Sequence, residues 1–458
     1  MTAPRYVAWF FAAGGTFLDG YSVVALGIGL PLLKREFTMG PLVIGLIGAG
    51  LVLGAAFGSW LGGLSADRWG RRPVFLADMA VLAAGAFLCA WAPAAWVLVA
   101  GQFVLGLGIG MDFPTSGSYV SEMMPRAVRN RMVVATIALQ SVGMVAAALV
   151  SLAILGLHPG PGDWRLLITV SGVLALVVLL GRTRLPESPR WLAGRGRFDE
   201  AVAVLRRMGD APPSATPGGA PRPSGSVSGA GTPSPGFAVL LTPRFRARTL
   251  LVCVPWMLMD VATYGVGLFT PVILAAIHFG GPSAGSLLAA DIVDAEGSAV
   301  VDLFLLVGFV VGILLVPRIG RIPMQVAGFG GMTLGMLVLL FASLTHDSAA
   351  MNTGLVIAGF VLFNLAMNAG PNATTFALAP TLFPTALRGS ASGLAAASAK
   401  VGATFGTFAV PQLHATLGIA GVLGLMAAVS AGGLIVTASL AHVVNEEGAI
   451  EEGEAGLG

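Results

Sequence analysis

Four ionisable side chains interrupt long apolar runs of this sequence: Asp19, Asp112, Asp260 and Lys400. A charged group in such a run costs at least about 2.5 kcal/mol on insertion scales, so each is a functional candidate. The carboxyls can carry protons, and the ammonium can offset the charge of an anion. Lys400 stands out because Lys34 is the only other lysine and the chain otherwise uses arginine. A lysine ammonium is a compact charge whose protonation responds to its surroundings. Trp256, Asp260 and Tyr264 recur at i, i+4 and i+8, which places an aromatic wall, a titratable carboxyl and a hydroxyl on one helix face. Such a face suits a small polar solute. The plainer alternatives are a packing stripe and a buried Asp260–Lys400 pair holding two halves of the chain together.

Other polar signals read more simply. Asp78 and Asp302 fall nearer the ends of their runs and are expected to snorkel or cap. His278, His346 and His414 also lie near run ends, where metal binding is not expected. Gly106, Gly108 and Gly110 sit inside an apolar run, so they point to close helix packing and not to a phosphate-binding loop. The sequence offers no nucleophile–base set and no metal-ligand cluster, so neither catalysis nor a cofactor is expected. Cys89 and Cys253 both fall inside apolar runs and predict no disulfide.

The elements that must position these residues follow from composition. Of 458 residues 56% are hydrophobic and only 10% charged, against about 25% charged in ordinary soluble domains. Mean hydropathy is +0.86. Runs such as 103–120 and 417–440 are long enough to cross a hydrocarbon core as helix. Twelve such runs begin near Val7, Pro41, Pro73, Ala95, Met132, Arg165, Arg248, Ser298, Pro323, Met351, Gly389 and Leu417. The expectation is an all-α integral membrane protein. The first run holds Asp19 at its middle and does not read as a cleavable signal peptide.

Basic residues set the orientation. With a cytoplasmic N-terminus, only Lys34, Arg35 and Arg165 of the 25 Lys and Arg fall in outside loops, and Lys400 lies within a span. That bias predicts cytoplasmic N- and C-termini. The outside loop after the seventh run carries Asp291, Asp294 and Glu296 without a basic residue. The net charge of +3 therefore reflects topology and does not point to nucleic acid.

The chain divides into an N-terminal six-helix bundle (1–182), a linker (183–247), a C-terminal six-helix bundle (248–441) and an acidic tail (442–458). Within the linker, Pro189 to Met208 has helical character and is expected on the membrane surface or against the bundle ends. Gly209 to Gly236 is expected to be a disordered Gly/Pro/Ser tether, and the acidic tail from Glu446 is expected to be disordered too. The halves repeat each other. Asp67-Arg68-Trp69-Gly70-Arg71-Arg72-Pro73 recurs as Pro317-Arg318-Ile319-Gly320-Arg321-Ile322-Pro323. Glu122…Pro125…Arg129 recurs as Thr381…Pro384…Arg388. Asp67 with arginines at a helix end can form a charge-and-dipole latch on one gating state. The second copy lacks both acids, so its latch is expected to be weaker.

These loops carry a resemblance. Gly63-x-x-x-Asp67-Arg68-x-Gly70-Arg71-Arg72 resembles the signature loop of the major facilitator superfamily, and Pro186-Glu187-Ser188-Pro189-Arg190-Trp191-Leu192 its sugar-porter-like branch. Gly370-Pro371-Asn372-Ala373-Thr374-Thr375-Phe376 and Ala396 to Ala403 are similar to the branch's phosphate:proton symporter group. That resemblance implies phosphate contacts at Gln140, Trp256, Asp260, Tyr264 and Lys400, and proton roles for Asp19, Asp112 and Asp260. Phe113 stands where the group carries a phosphate-touching tyrosine, and Ser22 where it carries a second acid. It further implies twelve helices in two six-helix bundles, alternating access around a midplane site and a monomer in the inner membrane.

The expected partners are a small-molecule or inorganic anion, protons and the lipid bilayer. A sugar or organic-acid symporter, an uncoupled facilitator and a non-transporting nutrient sensor remain as alternatives. The span-five signature of drug exporters is missing from Met132 to Gly156, which favours import.

Overall fold

Apolar runs this long adopt helix because lipid offers no partner for unpaired backbone N–H and C=O groups. The structure, a computed structural model, describes residues 3–37, 39, 41–125, 127–157, 160, 162–209, 237–267, 304–344, 349–384 and 386–445. The first span is two helices, α1 (Ala3–Ala12) and α2 (Gly14–Glu36). It is followed by α3 (Pro41–Trp69), α4 (Arg71–Ala90), α5 (Ala95–Met123), α6 (Arg129–Leu157) and α7 (Asp163–Arg182). Two short helices, α8 (Pro189–Gly194) and α9 (Phe198–Arg207), lie between the halves. The second half contains α10 (Arg246–Gly267), α11 (Phe304–Ile319), α12 (Arg321–Leu344), α13 (Ala349–Ala369), α14 (Pro371–Leu382) and α15 (Arg388–Ser439), and ends in α16 (His442–Asn445).

Ten stretches among the described residues are helices long and apolar enough to cross a membrane, with α11 a shorter apolar helix. The 52-residue α15 breaks at Gly418, where φ is 67°, and so holds the two last spans. The proposed tether at 209–236 falls almost wholly outside the described residues. So do the acidic loop after α10, Asp302, His278, His346 and the tail from Glu446; the side chains of Lys34, Arg35 and His414 are likewise not described.

Small residues bring the first-half helices into backbone contact. A Cβ on Gly106 or Gly110 would lie 2.1 Å from the carbonyl oxygens of Leu51 and Ala55 on α3, and one on Gly108 would strike α4. These glycines make the close helix crossing expected of them. In the second half α10 packs against α15, and α12 against α13 and α15. The halves meet where α15 lies along α3 and α5, and where α14 meets α6. The duplicated loops share one backbone feature: Gly70 and Gly320 have φ of 101° and 99°, a region that penalises any side chain.

The linker helices pack on the bundle end. Ser188 Oγ caps α8 by accepting from Trp191 N at 3.3 Å. Trp191 Nε1 and Arg195 then donate to the Asp67 carbonyl, each at 3.1 Å, closing the end of α3.

Candidate functional site

A cavity of about 430 Å³ lies between the halves, walled by α2, α3, α5 and α6 on one side and by α10, α11, α13, α14 and α15 on the other. Trp256, Asp260 and Tyr264 all line it, as do Gln140, Phe113 and Lys400. The face read from spacing is therefore a cavity wall. At its floor Phe113, Trp256 and Phe376 meet edge to face, with centroids 6.1 to 6.4 Å apart. This aromatic plug joins the two halves.

Lys400 Nζ donates to Tyr264 Oη at 3.2 Å and lies 5.0 Å from the centre of the Phe113 ring. Among the described residues it forms no ion pair. The Asp260–Lys400 pair held open above is thus not formed, and both residues belong to the same half, so they could not tie the halves together. A 5%-exposed ammonium that meets only a hydroxyl and two ring faces is strongly disposed towards an anionic partner.

Three asparagines also face the cavity, of which the sequence reading named only Asn372, as part of a motif and without a site role. Asn364, Asn368 and Asn372 recur at i, i+4 and i+8 along α13 and α14. Asn372 Nδ2 donates to Asn368 Oδ1 at 2.8 Å, and Asn368 Nδ2 to the Asn364 carbonyl at 3.0 Å. Their spacing was a usable signal.

The acids expected to carry protons separate into two places. Asp19, on α2, is 2% exposed and accepts from Gln140 Nε2 at 2.5 Å, directly behind the cavity wall. Ser22 turns away from the cavity and pairs with Ser171 at 2.9 Å. Asp112 instead faces Arg182, at 2.5 Å, and Arg182 also holds both carboxylate oxygens of Asp78 at 2.9 and 3.0 Å. Asp78 therefore does not snorkel; it is fully buried in an ion cluster joining α4, α5 and α7. The same guanidinium donates to the carbonyls of Phe11 and Ala12, which the break between α1 and α2 leaves unpaired. One cation faces two carboxylates here, and Asp112 Oδ2 is buried without a hydrogen-bond partner.

The gating loops build a closure on the far side of the plug. Asp67 Oδ1 accepts from Gly389 N at 3.0 Å, and Oδ2 accepts from Ser390 N at 2.7 Å and Ser390 Oγ at 2.8 Å. An anion on a helix N-terminus is favoured by the unpaired N–H groups and the helix dipole. Gly63 permits the approach, since a Cβ there would sit 2.5 Å from the Gly389 carbonyl oxygen. Arg71 pairs with Glu122 at 2.8 Å and with Asp67 at 3.4 Å, and Arg388 reaches Glu122 at 3.5 Å from the other half. Asp67 thus grips the backbone of α15 more than it grips arginine. Glu187 accepts from the backbone N–H groups of Arg71 and Arg72 at 2.9 and 3.1 Å, capping α4. Arg72 donates to the Thr183 carbonyl at 2.9 Å, Arg68 is exposed beside Trp69, and Arg129 is half-buried at the start of α6. In the second copy Arg321 donates to the Thr381 hydroxyl, and Arg318 is exposed. At that position a neutral hydroxyl stands where the first copy has the Glu122 carboxylate, and a neutral acceptor makes the weaker hydrogen bond to a guanidinium.

Comparison with known proteins agrees with this architecture. A family model described as "Sugar (and other) transporter" matches residues 8–444. The chain is 28% identical over 437 residues to the putative metabolite transport protein YaaU of Escherichia coli (strain K12), covering 95% of this chain and 91% of that one. It is 27% identical over 418 residues to the probable metabolite transport protein CsbC of Bacillus subtilis (strain 168), covering 91% and 87%. Among solved structures, the proton:xylose symporter XylE bound to 6-bromo-6-deoxy-D-glucose superposes with a TM-score of 0.74 over 94% of each chain, at 19% identity; this transporter is from E. coli. The chain belongs to the sugar (and other) transporter family, has the fold of a major facilitator transporter, and is a multi-pass membrane transporter of small molecules, not an enzyme.

Proposed function

We propose that this transporter carries a small anion, with inorganic phosphate the first candidate, into the cell together with protons. The observation that carries the reading is Lys400: a buried ammonium on the cavity wall, bonded to Tyr264 and free of any ion pair among the described residues. A bound oxyanion would take the charge of Lys400 and hydrogen bonds from Tyr264 and Gln140. The ionised Asp260 carboxylate beside them would repel it. Protonation of Asp260 on the outer side removes that repulsion and favours loading; deprotonation on the inner side promotes release. Asp19 lies one hydrogen bond behind the wall, placed to share the proton. Asp112, held by Arg182, would respond through the helices and not through substrate contact.

The closure around Asp67, Glu122 and Arg388 lies at the end that the basic loops mark as cytoplasmic, so the cavity belongs to a state closed to the cytoplasm. Opening requires Asp67 to release the N-terminus of α15 while the halves rock about the aromatic plug. The expected molecule is a monomer in the inner membrane.

A second reading is a sugar or polyol symporter. It is favoured by the Asn364, Asn368 and Asn372 ladder, whose amides match neutral hydroxyls, and by the xylose symporter among the similar structures. The two readings separate in a competition assay on reconstituted protein. The anion reading expects unlabelled phosphate to block exchange of labelled phosphate while xylose and inositol do not. Exchange of labelled sugar that phosphate leaves untouched would replace the first reading with the second.

A further inference from the structure

We infer that Asp19 is a positioning residue that decides which end of the Gln140 amide faces the cavity. A proton on Asp19 thereby exchanges an acceptor for a donor at the substrate. The inference rests on the proton-coupled reading above and supplies a route from proton to substrate affinity.

Gln140 lines the cavity, whereas Asp19 does not. The Gln140 Nε2 group donates back to Asp19 Oδ2 at 2.5 Å, and no described residue donates to Gln140 Oε1. The backbone around the pair is locked. A Cβ on Gly20 would lie 1.9 Å from the Gln140 carbonyl oxygen, and one on Gly143 would lie 2.0 Å from that of Phe17. With α2 and α6 in contact on both sides of the pair, rotation of the amide is the freedom that remains.

The hydrogen-bond inventory dictates the rest. An ionised carboxylate only accepts, so it requires the NH2 end of the amide and leaves the carbonyl for the cavity. A protonated carboxyl has one O–H to donate, and its best partner is the amide carbonyl. The amide then turns over and presents its two N–H donors to the cavity. A hydronium ion from the cavity gives up one O–H bond and becomes water as an O–H bond forms on Asp19; no other covalent bond changes. An oxyanion is repelled by the carbonyl and held by the N–H groups, so protonation and anion loading favour each other. The charges acting on this unit are Lys400 from α15 and Asp260 from α10, with Tyr264 beside them. On α5 the Asp112 carboxyl lies against Gly15, one turn along α2, but is taken up by Arg182.

The test is pH-difference infrared spectroscopy on the full protein in liposomes, with 13C-labelled glutamine side chains and no substrate. Acidification is expected to raise a protonated-carboxyl band and to shift one glutamine amide band with the same midpoint. Both changes should vanish in Asp19→Asn, while Gln140→Leu should keep the carboxyl band and lose the amide shift. A carboxyl band lost in Asp19→Asn but never accompanied by an amide shift overturns the switch, as does an amide shift that survives Asp19→Asn. If Asp19→Asn does not fold, the wild-type titration still decides, because two separate midpoints refute the linkage. In a second arm, inorganic phosphate is titrated calorimetrically across pH. The slope of log Kd against pH should fall by about one in Asp19→Asn, the loss of one linked proton; an unchanged slope overturns the proposal. Absence of phosphate binding by the wild type defeats the anion reading alone, since the infrared arm needs no ligand.

Discussion

Removing the Asp67 carboxylate should release the closed end of the transporter. In the closed state it accepts three hydrogen bonds at 2.7 to 3.0 Å from the first turn of α15 and lies 3.4 Å from Arg71. Hydrogen bonds to a charged group contribute about 1.5 to 3 kcal/mol each, and loss of a helix cap costs about 0.5 to 2 kcal/mol. These contributions overlap, and an open state would rehydrate the same groups. A net bias of about 3 kcal/mol remains, close to a 100-fold change in the ratio of closed to open molecules. The assay is pulsed electron spin resonance between labels at Arg131→Cys and Ile319→Cys, two exposed positions at the closed end of opposite halves. The native thiols, Cys89 and Cys253, would be replaced by alanine. Asp67→Ala should move most molecules to a longer distance. A distance distribution for Asp67→Ala that superimposes on wild type would refute the reasoning.

Further outcomes follow from the same geometry. Arg182→Ala should strand two buried carboxylates and cost about 3 to 5 kcal/mol of stability, while Asp78→Asn, which leaves one cation facing one carboxylate, should cost far less; thermal denaturation in detergent compares them. Gly63→Val should wedge α3 from α15 at the Gly389 carbonyl and open the same end, read as a longer distance between the same two labels. Phe113→Tyr would add a donor beside Lys400, so phosphate KM should fall by about two- to tenfold, the effect of one hydrogen bond of about 0.5 to 1.5 kcal/mol. An unchanged or raised KM would count against an anion at that spot.

Much of this architecture is legible in the residues. The runs of apolar sequence and the repeated Gly70 and Gly320 loops specify spans and a duplicated unit, because length and backbone satisfaction in lipid allow few alternatives. The face of Trp256, Asp260 and Tyr264 is legible because helical periodicity is local. Arg182 is not: a basic residue at the end of a run reads as a topology signal. Its partners Asp78 and Asp112 are 104 and 70 residues away on other helices. For the same reason Asp78 reads as a snorkelling acid. Asp67 is legible as part of a latch, but its main partner is the backbone of α15, which carries no side-chain signature. The asparagine ladder shows that a polar stripe can be missed when attention rests on charge.

The most direct measurement is labelled-phosphate uptake into proteoliposomes under an imposed inward proton gradient, with wild type and Lys400→Ala side by side. The account expects uphill accumulation that collapses with a protonophore and is lost when the ammonium is removed. Phosphate accumulation that persists in Lys400→Ala, or well-folded wild-type protein that moves no phosphate, would contradict it.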